Sequence, residues 1–269
     1  METSPGSPVA LAAAAHPDDI EFTMAATLLL LKEAGAAIHM WNLADGSCGS
    51  TTLPGPEIAR VRREEAGASA RVAGATLHPP LARDFELVYE PGLLARAAAV
   101  LRRIRPAILL IPSPQDYMED HQNAARLLVT AAFVRSMPNF RTDPPEPPWE
   151  GDVAIYHAQP HGLCDGLGRL VRPGLYVNAA PVFEVKQKML SAHRSQSQWL
   201  DASQGMGAYL SEMEAACRKV GELSGRFELA EGWRRHNPLG FGFTGRDPLT
   251  ELLGGEACAV DAAYAGSLE

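Results

Sequence analysis

The segment AHPDDIEF, residues 15–22, sets a histidine and two adjacent aspartates directly after an alanine-rich apolar run. Neighbouring carboxylates repel one another, so a compensating cation is expected, and a metal ion is the first candidate. A second polar cluster, SPQDYMEDHQ (113–122), also follows an apolar run and supplies Asp116, Glu119, Asp120 and His121. Histidine, carboxylate and histidine, with a water in the open position, is a usual donor set for catalytic zinc. Each residue alone has a plainer explanation. Asp18 suits a helix N-cap, Asp19 a favourable charge in a first turn, and His121 an ordinary helical position. The metal reading rests on both clusters meeting at one place.

The surrounding segments must bring them there. VALAAAA (9–15) reads as a short buried strand, IEFTMAATLLLLKEA (20–34) as one helix stopped by Gly35, and AIHMWNLA (37–44) as a second strand. A loop rich in Gly, Ser, Thr and Pro follows, DGSCGSTTLPGP. Helices are expected over 57–73, 91–105 and 121–134, with AILLIP (107–112) as a buried parallel strand. Strand–helix alternation over the first 135 residues means βαβ units and a Rossmann-like, doubly wound, mostly parallel α/β sheet. Ligands in such sheets bind outside the carboxyl ends of the strands, where both clusters fall. A proline-rich stretch at 138–152 interrupts the pattern. Short strands near 153–158 and 174–178 and helices near 183–199 and 205–224 then form an extension. One domain is expected over 1–269, with its core at about 9–136 and the extension at about 153–269.

Composition narrows the function classes. Hydrophobic residues make up 46% and charged residues 21%, an ordinary globular balance. A net charge of −8 without a basic run argues against a nucleic-acid surface. Cys48, Cys164, Cys217 and Cys258 form no CxxC pair, so neither a zinc ribbon nor a redox motif is written, and a reducing, cytoplasmic setting is expected. METSPGSPVALAAAAH lacks a basic n-region and is a poor signal peptide. LLLL (28–31) meets Lys32 and Glu33 at once, so no membrane-spanning segment is expected. A nucleotide would need a glycine-rich first turn, whereas HPDDIE would repel phosphate; GFGFTG (240–245) has no strand–helix context. Two histidines and one carboxylate also describe non-haem iron(II) sites, which normally sit in a β-barrel.

AHPDD after an apolar strand resembles the motif of the PIG-L/LmbE-like family of zinc-dependent N-deacetylases. Further blocks are similar in order: Glu21 with ATLLLLKEAG, the glycine-bearing DGSCGS (45–50), RREEA (62–66), EDH (119–121) and KQKMLSAHRSQSQWL (186–200). The resemblance runs from about residue 9 to about 236. It implies that His16, Asp19 and His121 bind zinc or another divalent metal and that Asp18 is the general base. It also implies a small amidated sugar or glycoside as substrate, N-acetylglucosamine-like, and a homo-oligomer, trimer or hexamer. The chemistry is consistent: zinc acidifies water and polarises a carbonyl, and a free carboxylate beside it can shuttle the proton.

One position departs from the family pattern. A further histidine three residues before the second metal histidine, implied to stabilise the oxyanion, is here Met118. Tyr117, His157 or His161 is a candidate replacement. Arg62 and Asp120 are candidate substrate contacts; a surface pair along its helix for Arg62, and a helix cap or a contact that orients a ligand for Asp120, are the plainer readings. His193 is read as structural or as a subunit contact, and Cys48 carries no mark of a nucleophile. The missing histidine keeps open a non-catalytic metal-binding protein of the same fold, beside a hydrolase of a non-sugar amide.

Overall fold

A computed structural model describes residues 7–197 and 208–267 of the chain. The start of the leader segment (1–6), the end of the helix read over 183–199 and the beginning of that read over 205–224 lie outside these residues.

The strands are β1 (Val9–Ala14), β2 (Ala37–Asn42), β3 (Thr76–His78), β4 (Ile108–Ile111), β5 (Ala154–Ala158), β6 (Leu175–Asn178), β7 (Ala230–Arg235) and β8 (Cys258–Val260). They form one sheet in the order β3-β2-β1-β4-β5-β7-β6-β8. The first five are parallel; β7 runs antiparallel to β5 and β6, and β8 antiparallel to β6. This is the mostly parallel α/β architecture expected from the alternation. At the centre, Ala10, Ala12 and Ala14 of β1 pack into one apolar layer with Leu28, Leu31 and Met40, and Leu11 and Ala13 into the other with Trp41 and Leu128. Helices cover both faces, so the strand reads as a continuous apolar run rather than an alternating one. Strand order reverses between β1 and β4, and the loops leaving their carboxyl ends diverge there. Such a reversal is where open α/β sheets bind ligands.

The helix expected over 20–34 is two helices, α1 (Asp19–Thr23) and α2 (Ala25–Glu33), broken at Met24 with φ −134°. A buried ion pair holds the break together. Glu231 of β7 accepts the amides of Ala26 and Thr27 at 2.8 Å each, an anion against a helix N-terminus. Lys186 pairs with Glu231 at 2.6 Å and donates to the Phe22 carbonyl at 2.8 Å. Removing one member of such a pair costs about 3–5 kcal/mol, because the other charge stays buried. Three further helices follow, α3 (Gly55–Ala73), α4 (Pro91–Ile104) and α5 (Glu119–Phe133). A sixth, α6 (Phe183–Leu190), stops well before residue 199, and turn residues after it carry His193 into the interior. β3, β7 and β8 have no counterpart in the sequence reading. β7, AEGWRR, carries its buried glutamate and a glycine where alternation would place apolar residues. No helix among the described residues is long and apolar enough to cross a membrane.

His157 of β5 pins the strand ends together. Its Nδ1 donates to the Pro112 carbonyl at 2.9 Å, and Nε2 meets His236 Nδ1 at 3.0 Å. Burial pushes its pKa down to about 4, with the Pro112 bond opposing and His236 and Arg234 adding to the fall. The folded chain therefore refuses a proton that the unfolded chain accepts below the ordinary value of 6.5. This contribution to stability is intact above that value and is lost as pH falls from 6.5 toward 4. Thermal melts of the wild type and of His157→Asn should thus converge on acidification from neutral pH. A constant gap in Tm across that window would show that His157 does not carry the effect.

Candidate metal centre

His16 and Asp18 sit between β1 and α1. Asp19 opens α1, and its Oδ2 accepts the His16 amide at 2.7 Å. Asp18 has φ 109°, a left-handed conformation that non-glycine residues adopt under strain of about 1–3 kcal/mol. It makes no side-chain cap hydrogen bond, so helix capping does not explain it. The kink instead turns the two neighbouring carboxylates in different directions. After β4, the loop 113–118 leads into α5, which places Asp120 and His121 in its first turn.

One ligand atom each of His16, Asp19 and His121 lies within 4.8 Å of the others. His16 Nδ1 and His121 Nε2 face the same oxygen, Asp19 Oδ2, at 3.6 and 3.4 Å. Each ring presents its other nitrogen to a buried aspartate: His16 Nε2 to Asp120 at 3.0 Å, His121 Nδ1 to Asp116 at 3.1 Å. A carboxylate behind each imidazole fixes its orientation and leaves the inner nitrogen as the ligand, as metal-binding histidines are normally held. The inner nitrogen of His121 is buried and makes no hydrogen bond. The donor set and this unpaired atom fit a divalent cation. Burial opposes, yet Asp120 and Asp19 raise His16 to about 9, and Asp19 and Asp116 raise His121 to about 11. Burial would likewise raise Asp19, but His121 and His16 keep it well below the usual carboxylate range.

Asp18 has partners of its own. Tyr209 donates to its Oδ2 at 2.6 Å, and Arg62 Nη2 lies 3.3 Å from the same oxygen. Arg62 is buried and also donates to the Pro17 carbonyl. It is therefore neither a surface pair along α3 nor a group facing open solvent. It positions Asp18. The glycine loop makes room for it: a Cβ at Gly46 would lie 2.6 Å from Arg62 Cδ, and one at Gly49 would strike its guanidinium. Asp84 fixes that loop by accepting the Gly46 and Cys48 amides at 2.7 and 2.8 Å. Beneath it, fully buried Glu21 accepts from Ser69 and lies 3.1 Å from His193, which assigns His193 to the support of this turn.

The remaining candidates separate. Asp120 is buried and committed to His16 and the Phe85 amide, so it orients a ligand and does not face substrate. His157 is committed to Pro112 and His236 and does not line the space at the triad. His161 does line it, together with Asp19 and His121. It is exposed, with its ring 6.4 Å from that of Tyr117, which in turn stands 6.2 Å from His121. Met118 is the N-cap residue of α5; its amide donates to Asp116 at 3.0 Å, its carbonyl accepts the Gln122 amide at 3.2 Å, and its side chain makes no cap hydrogen bond. Three residues escaped the sequence reading in these roles: Asp116 behind His121, Tyr209 on Asp18, and Gln159, buried at the throat of the space beside the triad. Tyr209 lies 191 positions from its partner inside an ordinary helical pattern, so no local signal marks it. Asp116 was visible as an acidic loop residue, but its partner was not.

The family model PIG-L, described as GlcNAc-PI de-N-acetylase, matches residues 11–132. Diacetylchitobiose deacetylase of Thermococcus kodakarensis is 31% identical over 189 residues, covering 67% of this chain and 67% of that protein. A 4-oxalmesaconate hydratase of Pseudomonas putida is 28% identical, covering 66% and 69%. Among solved structures, N,N'-diacetylchitobiose deacetylase from Pyrococcus horikoshii, in complex with an inhibitor, superposes with a TM-score of 0.73 at 25% identity, covering 92% of this chain and 89% of that one. The matched family segment spans both clusters and all four of His16, Asp18, Asp19 and His121, and the relatives extend the likeness beyond it: the chain belongs to the PIG-L family of deacetylase-type proteins.

Proposed function

We propose that the protein is a metal-dependent N-deacetylase that hydrolyses the acetamide of a GlcNAc-like sugar or glycoside. The observation that carries this reading is the set of inner atoms of His16, Asp19 and His121 gathered within 4.8 Å, with the carboxylate of Asp18, the residue preceding Asp19, held by Tyr209 and Arg62. A divalent cation, zinc in our reading, held by those three residues supplies the positive charge that acidifies water and polarises an amide carbonyl.

The chain's own residues do the rest. Asp18 takes a proton from the water whose oxygen bonds to the carbonyl carbon. It returns the proton to the nitrogen as the C–N bond breaks, giving a carboxylic acid and an amine. Burial pushes its carboxyl up, Arg62 opposing and Asp19 adding, which suits a group that must both accept and release a proton. Tyr209 and Arg62 both engage Oδ2, so Oδ1 is the oxygen left for the transfer. His161, which lines the space at the triad, and Tyr117, beside His121, are the candidates for the role of the family's absent histidine. Burial and then the charges of Asp116, Asp19 and Asp18 raise the Tyr117 phenol, which keeps it an O–H donor at neutral pH.

The hydratase relative supports a second reading, addition of water to an unsaturated carboxylate. It is less favoured because such a substrate needs cationic partners. Arg62 is spent on Asp18 and Pro17, and Lys219, near the mouth of the adjoining cavity, pairs with Glu222 at 2.8 Å. Product analysis separates the two: a free amine with acetate for one, a hydroxy acid for the other.

Three outcomes follow from the deacetylase reading. Elemental analysis should find about one divalent metal per chain, lost in folded His16→Ala and His121→Ala proteins; full occupancy in both would remove them as ligands. Asp18→Asn, nearly isosteric but unable to take the proton, should keep the metal and lose roughly 10²–10⁴ in kcat on N-acetylglucosamine-type compounds. Wild-type turnover in that variant would take Asp18 out of the mechanism. His161→Ala should retain metal and lose roughly 10²–10³ in kcat as one oxyanion donor, with a smaller effect for Tyr117→Phe. The reverse order would move that role to the phenol.

A further inference from the structure

A cavity of about 390 Å³ opens beside the triad, between β7, the loop 159–163 and the helix Ala208–Ser224. It shares Phe22, Thr23, Gln159 and His161 with the small space of about 20 Å³ against Asp19 and His121, so the two adjoin. Its walls are largely apolar, including Leu163, Ala216, Val220 and Ala230. Glu231 reaches the wall, but its oxygens are committed to Lys186 and to the Ala26 and Thr27 amides. Gln159 is different. It is 5% exposed, and neither its Nε2 nor its Oε1 has a hydrogen-bond partner. Buried amides are almost always paired, so both ends of this one await a group that enters the cavity. Gly232 keeps space for it, since a Cβ there would lie 2.9 Å from Gln159 Cγ.

We propose that this cavity is a substrate subsite that takes a flexible apolar group, with Gln159 bonding the polar linkage that joins that group to the reacting amide. The proposal rests on the amide-hydrolase reading above and extends its substrate class from a bare N-acetyl sugar to a sugar carrying an alkyl chain. The chain sits either on the acyl carbon or on the sugar as an aglycone. Both present the same chemistry to the walls, and the test separates them.

Two probe series are compared on the zinc-loaded full chain: N-acyl glucosamines from acetyl to hexanoyl, and N-acetylglucosaminides from methyl to hexyl. In one series kcat/KM should rise at least tenfold with length, against a ceiling of roughly fourfold per buried methylene. Ala216→Phe, which fills the cavity away from the triad, should abolish the rise and leave turnover of N-acetylglucosamine unchanged. Gln159→Leu should raise KM for the longest probe severalfold with little change in kcat. Calorimetric binding of the hexanoyl and hexyl probes to wild type and Ala216→Phe gives a readout independent of hydrolysis. Chain-dependent binding that Ala216→Phe removes, with no probe hydrolysed, keeps the cavity and overturns the hydrolase reading. Hydrolysis of the acetyl probe, with rates and binding flat in both series and indifferent to Ala216→Phe, overturns the cavity and keeps the hydrolase. Flat binding with no hydrolysis overturns both.

Discussion

Two adjacent carboxylates that must act separately set the central constraint of this site. Side by side, Asp18 and Asp19 would repel and raise each other's pKa. The left-handed backbone at Asp18 sends one side chain toward the imidazoles of His16 and His121 and the other toward Arg62 and Tyr209. Each carboxylate then has its own cationic or hydrogen-bonding surroundings. The shifts diverge accordingly: Asp19 is held well down, Asp18 is pushed up. Opposite environments for two like groups are how a protein gives neighbouring carboxyls different proton affinities.

Much of the surrounding structure answers to that division. Arg62 reaches Asp18 because glycines at 46 and 49 leave a channel for its side chain, and Asp84 ties that loop by two amides. Glu21, two residues beyond the paired aspartates, is buried against Ser69 and His193 and fixes α1 from below. The short α1 then needs an end. Glu231, on a strand more than 200 positions away, caps α2, and Lys186 of α6 binds the Phe22 carbonyl of α1. Replacing such a pair by apolar residues is often neutral or stabilising, so its role here is read best as specifying where the helix breaks.

What the sequence disclosed follows from which of these forces are local. Apolar runs and their spacing gave β1, β2, β4 and the parallel core. The position of HPDD and EDH after strands placed both clusters at one sheet edge, where the order reverses between β1 and β4. The break at Met24 was not legible, because its cause is a carboxylate on β7. Nor was β7 itself, whose glutamate faces the interior only because Lys186 meets it there. For the same reason the partners of Arg62 and Asp120 were not legible: Asp18 and His16 lie 44 and 104 positions away. Hydrophobic periodicity reports which face is buried, and is silent on which polar pairs are buried with it.

The two parts of the chain therefore carry different duties. The donors His16, Asp19 and His121, their aspartate supports and Arg62 all come from the parallel βαβ region, whose strands fix them to within hydrogen-bonding distances. Tyr209, Gln159, His161 and the apolar walls beside the triad come from the later, antiparallel part. Tyr209 crosses from that part to Asp18 through a 2.6 Å hydrogen bond. Substitutions along the helix Ala208–Ser224 can thus reshape what enters the cavity while the geometry of the triad stays as the sheet sets it. The exception is Tyr209 itself, where a change would loosen Asp18 and couple the shape of the pocket to the placing of that carboxylate.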